Sequence, residues 1–332
     1  MWKQIQCTVR GRSHIKSDTP CQDRTYAITD GNTHVIALAD GAGSATMSHY
    51  GAETATKCVC VDLAVHFENY FQNDDAGLVK TQLMKNIIDD LRSQAGVMKC
   101  DIKDLASTLL VAAVKGEKFI LIHIGDGVIG YLDGNELKVA SQPENGEFVN
   151  TTIFTTSRDA ISTMKIIRGS IKNIRGFVLM SDGTEISLYN KREKRLASIL
   201  KTIMDMVILI QLDALEKKLH HTFENVIRQN TTDDCGIAML IKGNNDFKGY
   251  RYFSSVEKGI LLQVIGRSAK KRIMQYDTIL EFLTDSHSLL DVARHLHLKP
   301  RYAKKRLNRL CKLNLLVEEE KRYRTIVIMD SF

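Results

Sequence analysis

The sequence predicts an α+β protein: a central antiparallel β-sandwich flanked by helix pairs, followed by a small helical unit with a two-stranded wing. Three observations carry this. Short apolar runs broken at Asp, Gly and Asn recur through the first 242 residues. Long helical patterns, each with a single apolar stripe, interrupt them. Basic charge gathers at the other end: residues 271–332 hold 13 Lys and Arg against 8 Asp and Glu, which is +5 of the chain's net +7. That asymmetry argues for two units with different jobs.

The strands fall at residues 26–29, 34–39, 108–114, 119–124, 128–132, 176–180 and 236–241. Several are apolar at every position, the pattern of a strand covered on both faces. The stretch "STLLVAAVKGEKFILIHIGDGVIGYLDGNEL" reads as successive antiparallel strands joined by Lys-Gly-Glu, Gly-Asp-Gly and Asp-Gly-Asn turns. Between the second and third strands, Ala52, Ala55, Val59, Leu63 and Phe67 recur at helical spacing, as do Leu83, Ile87 and Leu91. Each helix has a polar back, so each packs on a sheet from outside. Further helices are expected at 191–204 and 212–228. Strands joined mainly by hairpins and interrupted by helix pairs make a layered sandwich rather than a doubly wound fold. The turn-rich "KGNNDFKGYRYFSSVEKG" marks a boundary, giving units at 1–242 and 272–332 with a connector, partly helical, at 243–271.

At 332 residues, 44% apolar and 26% charged, the chain has the composition of a soluble globular protein. No apolar run reaches the roughly 18 residues of a membrane span, and the first residues lack the apolar core of a signal peptide. A cytoplasmic protein without membrane contact is the expectation. Seven cysteines without a CxxC pair read as free thiols, and the Cys58–Cys60 pair on a helix suits zinc poorly.

Acids stand wherever apolar runs stop. Asp40 follows "VIALA", Asp126 follows "FILIHI", and Asp182 follows "GFVLM"; Asp233 and Asp234 precede the final strand of the sandwich, and Asp23 the first. A single Asp-Gly is ordinary turn chemistry. The set is different, because strand ends of one sandwich meet at its edges. Two carboxylates about 4 Å apart repel by roughly 4 kcal/mol at an effective dielectric near 20. Such a group takes up protons or holds cations, and oxygen-only donors select Mg²⁺ or Mn²⁺. A divalent ion against Asp40, approached by the Gly41 carbonyl, accounts for the small residues that follow.

The order "QD … ALADGAGS … STL … IGDG … LMSDG … DDCGIAML" resembles the metal-dependent protein phosphatases of the PP2C type, over about residues 10–242. It is most similar to their compact bacterial members. The resemblance implies α/β/β/α layers and hydrolysis of phosphoserine and phosphothreonine in proteins. Hydroxide held between two Mg²⁺ or Mn²⁺ ions would be the attacking group. It implies that Asp40 bridges both metals, the Gly41 carbonyl ligates one, Asp182 and Asp233 complete the other shell, and Asp23 acts through water. Asp126 would belong to a third ion. The phosphorylated partner is implied to be a kinase or its target.

Four departures qualify the resemblance. Asp18 stands where the family places a phosphate-binding Arg, with His14 or Arg12 as substitutes. Gln22 replaces a Glu, and Ala42 stands at a position where eukaryotic members carry a proton-donating His. Asp234 replaces an Asn, which lets Asp233 and Asp234 exchange roles. His14 and His49 are left as supporting groups for the leaving oxygen, while His123 reads as a core residue. Cys21 lacks the C-x5-R cradle of a cysteine phosphatase.

In the basic tail, Ala303, Leu307 and Leu310 share one helix face, and Arg301, Lys305, Asn308 and Lys312 share the opposite one. Ser286 is placed to cap the preceding helix, and Pro300 to open this one. The tail resembles bacterial winged-helix domains, which contact DNA, proteins or their own neighbouring domain. The acidic Glu318-Glu319-Glu320 at the wing tip opposes a phosphate backbone. Besides the enzyme, the sequence leaves open a non-catalytic phosphoprotein-binding regulator, or a transcription factor using the winged helix as effector.

Overall fold

The computed structural model describes residues 2–142, 152–243, 249–264, 266 and 268–330. Contacts divide the chain into two units, residues 1–204 with 216–243, and residues 205–215 with 244–332.

In the first unit, one sheet contains β2 (Arg24–Asp30), β3 (Thr33–Ala39), β4 (Leu109–Lys115), β5 (Lys118–Ile124) and β8 (Lys165–Ser170), in that spatial order. The other contains β1 (Trp2–Val9), β12 (Cys235–Lys242), β9 (Ile174–Met180), β6 (Val128–Asp133) and β7 (Glu136–Ser141), in that order. Every pairing is antiparallel. The helices are α1 (Arg12–Ser17), α2 (Ser48–Gln72), α3 (Ala76–Met98), α4 (Ala160–Thr163) and α5 (Asp182–Leu188), with the small hairpin β10 (Tyr189–Asn190) and β11 (Arg195–Leu196) next. Helices α6 (Ile199–Leu209) and α7 (Leu212–Asn225) straddle the division between the units.

Side-chain alternation explains the unbroken apolar strands. Val35, Ala37 and Ala39 of β3, with Leu109, Val111 and Ala113 of β4, pack on α2 and α3. Their neighbours Ile36, Leu38, Leu110, Ala112 and Val114 face the other way, onto Ile129, Phe177, Leu179, Ala238 and Leu240 of the second sheet. Both faces are dry, as the pattern predicted. On the outer side of the second sheet, Met204 of α6 lies against Gly176.

Two strands were hidden in the sequence. The alternation of β1, with Ile5, Cys7 and Val9 buried, lies in a polar segment, and β8 is a half-buried edge carrying Lys165 and Arg168. The helix expected at 191–204 begins only at Ile199. Lys, Arg and Glu at 191–194 suit a helix by propensity, but the Asn190 side chain accepts from the Glu193 N–H at 3.0 Å and Lys194 takes a left-handed φ of 52°. These features turn the segment into a hairpin.

The second unit holds α8 (Ser255–Leu261), α9 (Ala269–Phe282), β13 (His287–Ser288), α10 (Leu289–His295), α11 (Pro300–Lys312), β14 (Leu316–Glu319) and β15 (Arg322–Thr325). Its sheet order is β13-β15-β14. Ser288, not Ser286, caps α10, in a reciprocal box with Asp291. Pro300 opens α11 as expected. The β14–β15 turn is made by Glu320 and Lys321, both at positive φ. A strand-like C-terminal stretch is clamped on two sides. Gln211 N–H donates to the Ile326 carbonyl and Ile328 N–H to that of Leu209, while Tyr250 N–H bonds the Ile328 carbonyl. Of the expected connector, residues 244–248, 265 and 267 lie outside the described residues.

Gly51 lies where α2 crosses the backbone of Leu105; a Cβ there would sit 1.9 Å from the Leu105 carbonyl oxygen. Gly96 of α3 has open space around it. Ala is favoured over Gly in a helix by about 1 kcal/mol. Urea denaturation should therefore show Gly96→Ala raising the unfolding midpoint and Gly51→Ala lowering it. A stabilised Gly51→Ala would contradict the close packing of α2.

Candidate active site

Register alone carries the acids to one end of the sandwich. Arg24, first in β2, pairs with Ala39, last in β3, so Asp23 and Asp40 leave neighbouring strands side by side. Through the antiparallel β4, β5 runs parallel to β3 and delivers Asp126 to the same end. In the second sheet Met180, ending β9, faces Val128 of β6 and Ile237 of β12. Asp182 and Asp233 accordingly emerge together.

Asp23 is fully buried. Ser181 Oγ donates to its Oδ2 at 2.7 Å, Asp40 is close enough to share a proton with it, and its Oδ1 has no well-aligned partner. Burial, then the charges of Asp234 and Asp182, hold its carboxyl well above the usual range. Asp40 is raised in the same way, first by burial and then by Asp23, Asp182, Asp233 and Asp126. Asp182 is pushed up to about 6 by burial and by Asp233 and Asp126, although the Gly183 N–H, at 2.6 Å, opposes the shift. Six aspartates, Asp234 among them, therefore share one electrostatic neighbourhood.

The backbone around them is tightly held. Asp40 N–H donates to Thr108 Oγ1 at 2.9 Å, and its carbonyl accepts from the Thr108 N–H at 2.8 Å. Gly41 passes so close to the start of α2 that a Cβ would lie 2.8 Å from Ser48 Cβ. Gln22 links these parts, donating from Nε2 to Ser48 Oγ at 2.7 Å and accepting the Gly41 N–H. Thr152 Oγ1 donates to Asp126 Oδ2 at 2.6 Å.

The two consecutive acids have different surroundings. Asp233 is half-buried and faces the cluster. Asp234 is 1% exposed, and its carboxylate accepts the backbone N–H groups of Gly11 and Gln22. His14 Nδ1 lies 2.9 Å from Asp234 Oδ2. Both Asp234 oxygens tie the N-terminal segment to β12, whereas Asp233 faces the cluster. Arg12 Nε donates to the Thr231 carbonyl at 2.7 Å. Both candidate phosphate-binding residues, His14 and Arg12, are thus anchored to the 231–234 segment. His49 stands on the first turn of α2 beside Tyr50. His123 is buried between Ser141 Oγ and the Gly125 carbonyl, as a core histidine should be.

The cluster suits a hard cation by charge and by donor type. Carboxyls that raise one another's proton affinity, and a buried oxygen left unpaired, are what an ion would satisfy. Among the described residues no three His, Cys, Asp or Glu side chains already close on one point as a finished cage. Burial and the charges of Asp23 and Asp234 drive the Cys21 thiol far upward, so it supplies no thiolate nucleophile near neutral pH. Thr108 and Ser181 lie inside the quoted "STL" and "LMSDG" motifs without having been given a role, and Thr152 escaped sequence reasoning altogether.

A family model described as Protein phosphatase 2C matches residues 10–224. Serine/threonine-protein phosphatase 3 of Escherichia coli (strain K12) is 27% identical over 172 residues, 49% of this chain. The match spans 66% of that relative's length. A bacterial serine phosphatase structure aligns with a TM-score of 0.52 at 14% identity, covering 74% of this chain and all of its own. The phosphatase Stp1 of Staphylococcus aureus aligns with a TM-score of 0.51 at 13% identity, covering 74% of this chain and 96% of its own. At such identities the likeness speaks to fold alone.

Two outcomes follow from the site. A carboxyl whose folded pKa exceeds its unfolded value favours the native state at low pH, an advantage lost as pH rises from about 4 through the folded value. For Asp182 that window closes above about 6. With chelator, Tm should fall between pH 5 and 7.5, Asp182→Asn should flatten the fall, and Mn²⁺ should remove it. An Asp182→Asn profile parallel to the parent's would refute the coupling. Asp234→Ala, which strands two buried N–H groups, should cost on the order of 3 kcal/mol in chemical denaturation.

Proposed function

The chain belongs to the protein phosphatase 2C family, and on that premise we propose that it hydrolyses phosphoserine and phosphothreonine in proteins, using divalent metal at the aspartate cluster. The observation that carries the reading is the gathering of Asp23, Asp40, Asp126, Asp182 and Asp233 at one end of the sandwich, with Asp23 Oδ1 buried and unpaired.

Asp40, Asp182 and Asp233 would hold the metal pair with the Gly41 carbonyl, and Asp126 a further ion. Bound there, Mg²⁺ or Mn²⁺ would lower the pKa of water and neutralise charge on the phosphoryl oxygens. The protein's own part is positioning. Ser181 fixes the buried Asp23 carboxyl, Thr108 fixes the Asp40 backbone, and Thr152 orients Asp126. Asp234 is left out of the metal set, since its oxygens are committed to Gly11 and Gln22. Ala42 has no proton to give, so the leaving oxygen draws its proton from solvent in the site.

The second unit supports a winged-helix reading by its element order. On α11 the cations divide into two groups. Lys304 is held by Glu318 and Tyr323, Arg306 by Gln275, and Arg309 by the carbonyls of Leu262 and Gln263. Lys305, Asn308 and Lys312 are exposed and engaged by no other side chain among the described residues, and Arg301 stacks on its neighbour Tyr302. A stripe left free in this way fits a polyanionic partner, DNA or an acidic protein surface.

On a phosphothreonine peptide, the full chain should release phosphate only with Mn²⁺ or Mg²⁺ present. Asp40→Asn and Asp182→Asn should each lower the rate at least about 100-fold, roughly 2.7 kcal/mol, with unchanged circular dichroism. Full activity in Asp182→Asn would refute the assignment. If α11 touches DNA phosphates, affinity for a duplex should fall steeply with salt, and Lys305→Ala and Lys312→Ala should each reduce the log–log slope by about 0.9. Affinity indifferent to salt would exclude that contact.

A further inference from the structure

Glu185 is a buried charge without an evident structural purpose. It is 1% exposed, stands three residues after Asp182 on α5, and so shares a helix face with it. Its Oε2 has no hydrogen-bond partner, and its Oε1 pairs with Lys191 Nζ. Lys191 opens the β10–β11 turn, and 70% of its side chain is exposed. An isolated buried carboxylate costs several kcal/mol, so the pair needs an explanation. Glu185 does one thing clearly: it fixes the head of a flexible, exposed lysine beside the acids. The charges of Asp182 and Asp126 reach that ammonium, and Asp126 also reaches Glu185.

The other cations near the cluster already have backbone or carboxylate partners. Arg24 Nη1 donates to the carbonyls of Cys21 and Asp23, Arg12 Nε to that of Thr231, and His14 faces Asp234. An ammonium has three donors and Glu185 Oε1 uses one. The remaining N–H groups are free to meet phosphoryl oxygens.

We propose that Lys191 is a phosphate-binding residue of this site, its ammonium held by Glu185 so as to contact the phosphoryl group of a phosphoserine or phosphothreonine peptide. The proposal rests on the phosphatase reading above. Lys191 touches substrate, and Glu185 acts through it as a positioning residue. In the resting chain the lysine also offsets part of the carboxylate charge that would repel an arriving dianion.

The test compares the full chain with Lys191→Ala, Lys191→Arg, Glu185→Gln and the Lys191→Ala/Glu185→Gln double variant, all in Mn²⁺. Two quantities are read: steady-state kinetics on a phosphothreonine peptide, and the calorimetric Kd of inorganic phosphate. Lys191→Ala should raise KM and the phosphate Kd about ten-fold, equivalent to about 1.4 kcal/mol, with kcat changed far less. Lys191→Arg should recover most of the loss. Glu185→Gln should shift both quantities the same way and add nothing to Lys191→Ala in the double variant. Since Lys191 is exposed, its variants should fold even where Glu185→Gln does not. If the parent chain turns over with Mn²⁺ while Lys191→Ala keeps the parental KM and phosphate Kd, this proposal alone is overturned. A parent chain inert with Mn²⁺ overturns the phosphatase reading and this proposal with it.

Discussion

The repulsion among carboxylates at one end of the sandwich is the constraint around which the first unit is arranged. Each acid stands where a strand begins or ends, so none can move without shifting register in a sheet buried on both faces. Asp23 is the extreme case, wholly buried, with a single hydroxyl donor on one oxygen and no aligned donor on the other. A fold that seeks stability alone does not bury such a group. Tolerating it requires the surrounding apolar packing of β3, β4, β9 and β12, and a counter-charge where the acids meet. On the reading proposed above, divalent ions would supply that charge.

Consecutive aspartates illustrate how environment assigns chemistry. Asp233 and Asp234 differ by one position in the chain, in a bend just before β12 where the Asp234 N–H donates to Asp233 Oδ1. One looks toward the cluster, while the other turns inward and closes the N-terminal segment onto β12 through Gly11 and Gln22. Gln22 shows the same economy. Its backbone serves Asp234 and Gly41, and its side chain serves Ser48. Function and framework share residues here, so substitutions beside the acids will disturb both.

Much of this was legible beforehand. The strands from 34–39 to 236–241 and the stripes of α2 and α3 could be read because hydrophobic periodicity is strong when both faces of a sheet are covered. The acids could be read because each interrupts such a run. What stayed hidden depended on contacts distant in sequence. β1 and β8 are edge strands with polar faces, and the 191–194 turn carries helix-forming residues that Asn190 overrules. Lys191 was concealed by the same error, since its interest lies in meeting Glu185 across the α5–β10 corner. Thr152 gave no local signal at all, because its only argument is the hydrogen bond to Asp126.

The second unit follows simpler rules: a buried apolar face on α9, α10 and α11, a reciprocal cap at Ser288, and a tight turn at Glu320–Lys321. Its basic stripe of Lys305 and Lys312 stays exposed on α11. The central claim concerns the carboxylate cluster, and it is tested most directly by titrating the chelated full-length chain with Mn²⁺ under electron paramagnetic resonance. The account predicts that the first equivalents leave the free-ion signal and appear as a protein-bound, spin-coupled pair, a pattern lost in Asp40→Asn. An undiminished free-ion signal from the parent chain, or binding that Asp40→Asn leaves intact, would contradict it.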